Sequence, residues 1–302
     1  MMAVPVFAAG LGGGARSAIP KDLQQLIVVD YRAMQNSPAA MQLKNRVLPP
    51  EIRQLEAALK NSGLNENHDV DLLAFAAFRV AGSADNTRTV GVAQGQFPVA
   101  DITAIFKKQK VKPLMVRTNR VYPMAKSGMV VVFLDQTTMV FGGTDAVRAA
   151  LDARDGLQQS MLNNSTMIDM MQTVDQEPLW SILDQKGTQT MMRSVLGDAA
   201  QLADYDTVKK RLVSSRYTMN FQNGVKFNMD VITPDTFTAA TIASLLNAAA
   251  LYKKMSGTAT EKMAIDNTKI LSDAGKLEVR FSASDGEFQS LLQSPLFQSV
   301  VH

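Results

Sequence analysis

The chain contains no cysteine, which excludes disulfide scaffolding, thiolate catalysis, cysteine-bound zinc, iron–sulfur clusters and a lipid anchor on an acylated cysteine. Histidine is nearly as scarce, with His68 and His302 the only two in 302 residues. A transition-metal site or a Ser–His–Asp triad would have to be built on one of those rings. Neither a G-x-S-x-G elbow nor an S-x-x-K pattern is present to supply a nucleophile. The single tryptophan, Trp180 between Pro178–Leu179 and Ser181, reads as a core anchor. No apolar run reaches the roughly 20 residues of a membrane span, since AATIASLLNAAALY (239–252) is interrupted by Thr, Ser and Asn. Charge of one sign is also short: 31 basic against 28 acidic side chains leave a formal +3, which is no nucleic-acid footprint.

What remains is an ordinary globular composition, 46% hydrophobic and 20% charged, in a chain long enough for two domains or one large one. Residues 1–20 are Gly- and Ala-rich and read as a signal-peptide remnant or a disordered spacer, with GLGGGARS as a flexible tether. Val6-Phe7-Ala8 fits a small-residue cleavage site, although a positive n-region and a longer apolar segment are missing. Two localisations follow: an exported protein, periplasmic or extracellular, or a cytoplasmic one with an unstructured terminus. Absence of thiols suits an oxidising compartment.

Beyond the spacer, LIVVDY (26–31) has the continuous β-branched run of a buried strand. Pro49 and Pro50 introduce a helix carrying Ile52, Leu55, Ala58 and Leu59, closed by Gly63. Strands are expected at 70–80 and 87–97, then a helix after Pro98 with Val99, Ile102, Ile105 and Phe106 on one stripe. PLMVRTNRVYPM, GMVVVFLDQ and TTMVFGG follow at spacings too short for parallel crossovers, which predicts an antiparallel meander. A helix at 144–156 closes this first unit, 21–157.

The second unit, 158–302, reads as a repeat of the plan. PLWSILDQ (178–185) parallels LIVVDY, and 216–232 forms a hairpin around Gln222-Asn223-Gly224, because Asn-Gly suits the positive-φ turn. Pro234 opens a long helix as Pro98 opened a shorter one. Phe141/Thr144/Asp145 and Phe281/Ser284/Asp285 share their spacing, with Thr144 and Ser284 or their aspartates as natural N-caps. The expected fold is therefore α+β, in two similar halves, each an antiparallel β-sheet covered on one face by helices. The phrases LIVVDYRAMQNSP, GLNENHDVD and TMVFGGTDAVRAALD resemble uncharacterised exported bacterial proteins built from repeated α+β halves. That resemblance implies a fold and no active site.

Candidate sites are few. GLNENHDVD gathers Asn65, Asn67, His68, Asp69 and Asp71, but counting from Asn65 puts Val70 where a calcium loop needs glycine and Ala76 where it needs a bidentate carboxylate. It reads instead as turn punctuation, with Asp69 and Asp71 facing solvent. Paired carboxylates leave a hydrolase open, with Asp30 and Asp184 at matching strand ends and Asp135 behind them. The stretch 107–120 collects Lys107, Lys108, Lys110, Lys112, Arg117 and Arg120. It suits either an anionic polymer or a solvated helix end, and it lacks the aromatics that would hold single-stranded nucleic acid. Methionine is abundant at 18 residues. Met170, Met171, Met191 and Met192, with Trp180, serve as core filling, as the lining of a groove for an apolar ligand or protein partner, or as soft Cu(I) ligands. The expected role is that of a non-enzymatic binding or structural protein acting through a surface or an inter-half groove. No cofactor, metal, nucleic-acid partner or transmembrane segment is expected.

Overall fold

The computed structural model describes residues 10–80, 83–124, 127–196, 205–295 and 297. Val6-Phe7-Ala8 and His302 lie outside the described residues, as does most of AAQLADY (199–205), whose sequence reads as helical. The chain divides into two compact units, but not at 157. Unit 1 is Met1–Gln35 with Leu48–Pro178, and unit 2 is Asn36–Val47 with Leu179–His302. The sequence boundary misses this because residues 36–47 pack with segments far along the chain.

Unit 1 contains β1 (Leu23–Asp30), β2 (Val70–Val80), β3 (Ser83–Gly95), β4 (Leu114–Val116), β5 (Asn119–Met124), β6 (Met129–Phe133) and β7 (Thr138–Gly142). They lie in the order β1-β2-β3-β7-β6-β5-β4, with every neighbouring pair antiparallel. The meander from β4 to β7 is thus as expected, except that PLMVRTNRVYPM is two strands folded back at Arg117 and Thr118. Burial along β2 alternates, the mark of a sheet with one face on the core and the other half open.

On the half-open face Phe75, Gly91 and Phe141 face one another across β2, β3 and β7. A Cβ on Gly91 would lie 2.2 Å from the Phe141 ring, so only glycine admits that ring. Phe75 closes over Phe141 edge-on, centroids 5.9 Å apart. Burying such a ring contributes about 1.5–3 kcal/mol.

The helices of unit 1 are α1 (Gly13–Ser17), α2 (Tyr31–Met34), α4 (Pro50–Lys60), α5 (Glu66–Asp69), α6 (Val99–Lys108), α7 (Thr144–Arg154) and α8 (Ser165–Gln172). The Gly-rich segment read as a tether contains α1, which buries Ala15 and is followed by buried Ala18 and Ile19. Gly12 N–H donates to Gln94 Oε1 at 3.0 Å. Its glycines permit close packing on β3 and α7, a role composition does not distinguish from flexibility.

Unit 2 holds α3 (Pro38–Val47), β8 (Leu179–Leu183), α9 (Gln185–Leu196), α10 (Tyr205–Lys209), β9 (Ser214–Asn220), β10 (Val225–Ile232), α11 (Thr236–Ser256), α12 (Ala259–Asp266), β11 (Thr268–Asp273), β12 (Lys276–Ala283) and α13 (Asp285–Leu292). Its strands run β11-β12-β10-β9-β8, antiparallel throughout. The β9–β10 turn places Asn223 at φ 58° and Gly224 at φ 93°, as the Asn-Gly pair requires. Met192, Leu212, Met229, Ile242 and Leu277 fill the core. α3 packs on α13, bringing buried Ala39, Ala40 and Leu43 to the element that buries Phe288 and Leu292. Ser284 caps α13 in a reciprocal box with Glu287. Thr144 does not repeat this, since Gly143 takes the cap position of α7 and Thr144 is its first helical residue. Among the described residues no helix is long and apolar enough to cross a membrane.

Candidate functional surface

The basic stretch follows from how α6 ends. Phe106 and Ile102 anchor the helix in the core, so its last turn points Lys107 and Lys108 outward. The chain reverses through Lys110 at φ 59°, with Val111 N–H donating to Phe106 O at 2.9 Å and Lys110 N–H to Lys107 O at 3.1 Å. This pair of bonds is the glycine-favoured helix stop, here formed by lysine. Lys112 and Pro113 then lead into β4, the edge strand, whose Leu114 and Met115 are 47% and 61% exposed. Arg120 stands opposite Met115 in the β4–β5 register and therefore on the same face.

Lys107, Lys108, Lys110, Lys112 and Arg120 are all exposed, and none has a hydrogen-bond or ion-pair partner for its side chain among the described residues. Arg117, grouped with them by sequence, has another job. Its guanidinium reaches Asp152 at 2.5 Å and Asp155 at 2.8 Å, fastening the β4–β5 turn to the end of α7. The hydrogen bond with Asp152 leads the causes that raise its pKa. Asp155 is held below the ordinary carboxylate range, because bonds and charge from Arg154 and Arg117 outweigh the opposing effect of burial.

The methionine set does not form a groove. Met171, Met192 and Trp180 are buried at 4%, 0% and 2% exposure, with Met192 in the core of unit 2. Met170 is only partly exposed, and Met191 packs against that same core. Flexible thioethers fill irregular space between helix and sheet, which accounts for their number.

The three aspartates proposed as catalytic acids are occupied with backbone. Asp30 Oδ1 accepts from Ala33 N at 2.8 Å, capping α2. Asp184 Oδ1 accepts from Gly187 N at 2.8 Å, at the start of α9. Asp135 accepts from Thr137 N and Oγ1 at 2.6 and 2.7 Å. Burial pushes its pKa up, but the bonds from Thr137 and Thr138 prevail and hold it low.

GLNENHDVD is more tightly built than its sequence implies. Asp69 is not solvent-facing but 5% exposed. Its Oδ2 accepts from Asn65 N at 2.7 Å and its Oδ1 meets His68 Nδ1 at 2.7 Å. Tyr31 Oη donates to Asn67 Oδ1 at 2.9 Å, and Arg32 pairs with Asp71 while donating to His68 O at 3.0 Å. The segment pins α2 to the entrance of β2. Among the described residues no group of His, Asp and Glu converges as metal ligands.

The fold class is thus α+β with an extensive antiparallel sheet. No family model matches the chain, and no curated protein does. Among solved structures it is similar to TP0453, a bacterial protein from Treponema. Crystal form I matches at TM-score 0.52 and 10% identity over 97% of this chain and 99% of that one. Crystal form III matches at 0.53 and 10%, covering 92% and 96%. Likeness at that identity is likeness of fold.

Proposed function

We propose that the chain acts by binding rather than by catalysis, and that it holds an anionic polymer on the basic edge of unit 1. The observation that carries this is the set Lys107, Lys108, Lys110, Lys112 and Arg120, exposed side by side and unpaired among the described residues. Mutual repulsion among such cations is relieved by a polyanion. Lys110 adds weight: its left-handed φ costs about 1 kcal/mol relative to glycine, a strain expected where charge serves a purpose. Leu114 and Met115 lie between the cations and offer apolar contact to the polymer backbone. Since no aromatic ring interleaves with them, the partner is a polymer without stacking bases, such as a polyphosphate or an acidic polysaccharide. The cysteine-free composition suits the exported setting that goes with this reading.

The test uses long-chain polyphosphate and heparin as probes at low and high ionic strength. Saturable binding that weakens steeply with salt is expected, and replacing the five cations by glutamine should lower affinity by at least about tenfold. Equal binding by that variant, or none at low salt, would refute the reading.

A further inference from the structure

Unit 1 also carries a cleft of about 460 Å³ at the start of β1, lined in part by Lys21, Phe78, Arg79, Val80, Arg88 and Arg148. We propose that it binds a small molecule bearing a terminal phosphate. Its size falls within the roughly 300–1,000 Å³ of small-molecule sites, larger than a bare anion needs.

The charge pattern selects the ligand. Arg88 is answered by Asp145 at 3.1 Å, and Asp152, also in the wall, by Arg117 at 2.5 Å. Among the described residues Lys21 Nζ meets only the Gln159 Oε1 amide, at 2.7 Å. Arg148 has no hydrogen-bond or ion-pair partner among the described residues. Among the described residues, Lys21 and Arg148 are thus two cations that no carboxylate reaches, and they share the cleft with Asp22, whose carboxylate is also unpaired there. A phosphate monoester carries about −1.5 to −2 charges at neutral pH, and its oxygens match a guanidinium's forked donors. A carboxylate or sulfate ester brings one charge to that pair where the phosphate monoester brings nearly two, which Lys21 and Arg148 can each engage.

Apolar surface from Pro20, Phe78 and Val80 offers a bed for the organic body. The walls are fixed by backbone: Lys21 N–H donates to Gln159 O at 3.0 Å and Arg79 N–H to Asp22 O at 2.9 Å. A bound ligand thus meets a preformed site. None of the polymer-binding cations lines it.

Phenyl phosphate is the probe, with phenyl sulfate as its singly charged counterpart, followed by NMR titration of the full chain. Saturable shifts at Lys21, Arg79 and Arg148 are expected, with phenyl sulfate weaker by about tenfold. Arg148→Gln and Lys21→Gln should each weaken phenyl phosphate by about tenfold, at an unchanged melting midpoint that shows the fold is intact. Vesicles containing phosphatidic acid form a second arm. Arg148-dependent recruitment to them without binding of phenyl phosphate would assign the phosphate to a lipid headgroup and support the site. The variant lacking the five edge cations should bind phenyl phosphate normally, so loss of polymer binding and loss of cleft binding are separable. Failure of both arms, binding indifferent to Arg148, or equal affinity for phenyl sulfate would overturn the proposal.

Discussion

At the scale of single residues, a few side chains carry more than their share. Lys110 occupies a glycine position, so Lys110→Gly should raise stability by about 1 kcal/mol while weakening polyphosphate binding; denaturant midpoints and a binding isotherm measured on one preparation test both halves. Asp69, buried and bonded to Asn65 N and His68, should cost about 1.5–3 kcal/mol when replaced by alanine. Asp71→Ala, which removes a half-exposed pair with Arg32, should cost under about 1 kcal/mol. Equal losses in chemical denaturation would contradict this account of the segment. Sequence placed His68 and its neighbours in turn punctuation, and the structure has a single helical turn there, α5. It misjudged Asp69 because the carboxylate turns back to Asn65 N and His68 Nδ1 while its backbone O meets Gln96 N of a distant segment, which spacing does not display.

Elements tell a similar story of legible cause and hidden partner. Asn223-Gly224 announced the β9–β10 hairpin, since that pair tolerates positive φ. The β11–β12 hairpin went unread because its turn is Ala274-Gly275, with Ala274 at φ 45° where asparagine is preferred. Ala274→Asn should therefore stabilise unit 2 by about 0.5–1 kcal/mol, read as a shift in denaturation midpoint. Helix α11 begins at Asp235, whose pKa is depressed chiefly by the bond from Thr238 N–H, helped by the nearby Arg211. A carboxyl lowered by folding contributes stability above the ordinary aspartate range and loses it as pH falls through its depressed value. Asp235→Asn should flatten the acid limb of a midpoint-against-pH curve in that window and leave its slope near neutrality unchanged.

For the whole molecule, antiparallel architecture was legible because short links between apolar runs leave no room for crossovers. The boundary between units was not, since 36–47 joins residues far away in sequence. A fragment of 179–302 should fold poorly, because α13 lacks the surface that α3 supplies. Adding a 36–47 peptide in trans should sharpen its thermal transition, and a fragment that melts cooperatively without the peptide would contradict the assignment. The phosphate cleft was equally out of reach: Lys21, Arg79, Arg88 and Arg148 come from segments that only the fold assembles, and no local spacing links them.

The position of α3 also dictates an order of events during synthesis. Residues 36–47 are synthesised about 240 residues ahead of 285–292, on which they come to rest. At about 5–20 residues per second the wait is on the order of tens of seconds. Through that interval Ala39, Ala40 and Leu43 lack the surface they cover in the finished fold, so unit 2 can close only once 285–292 have left the ribosome.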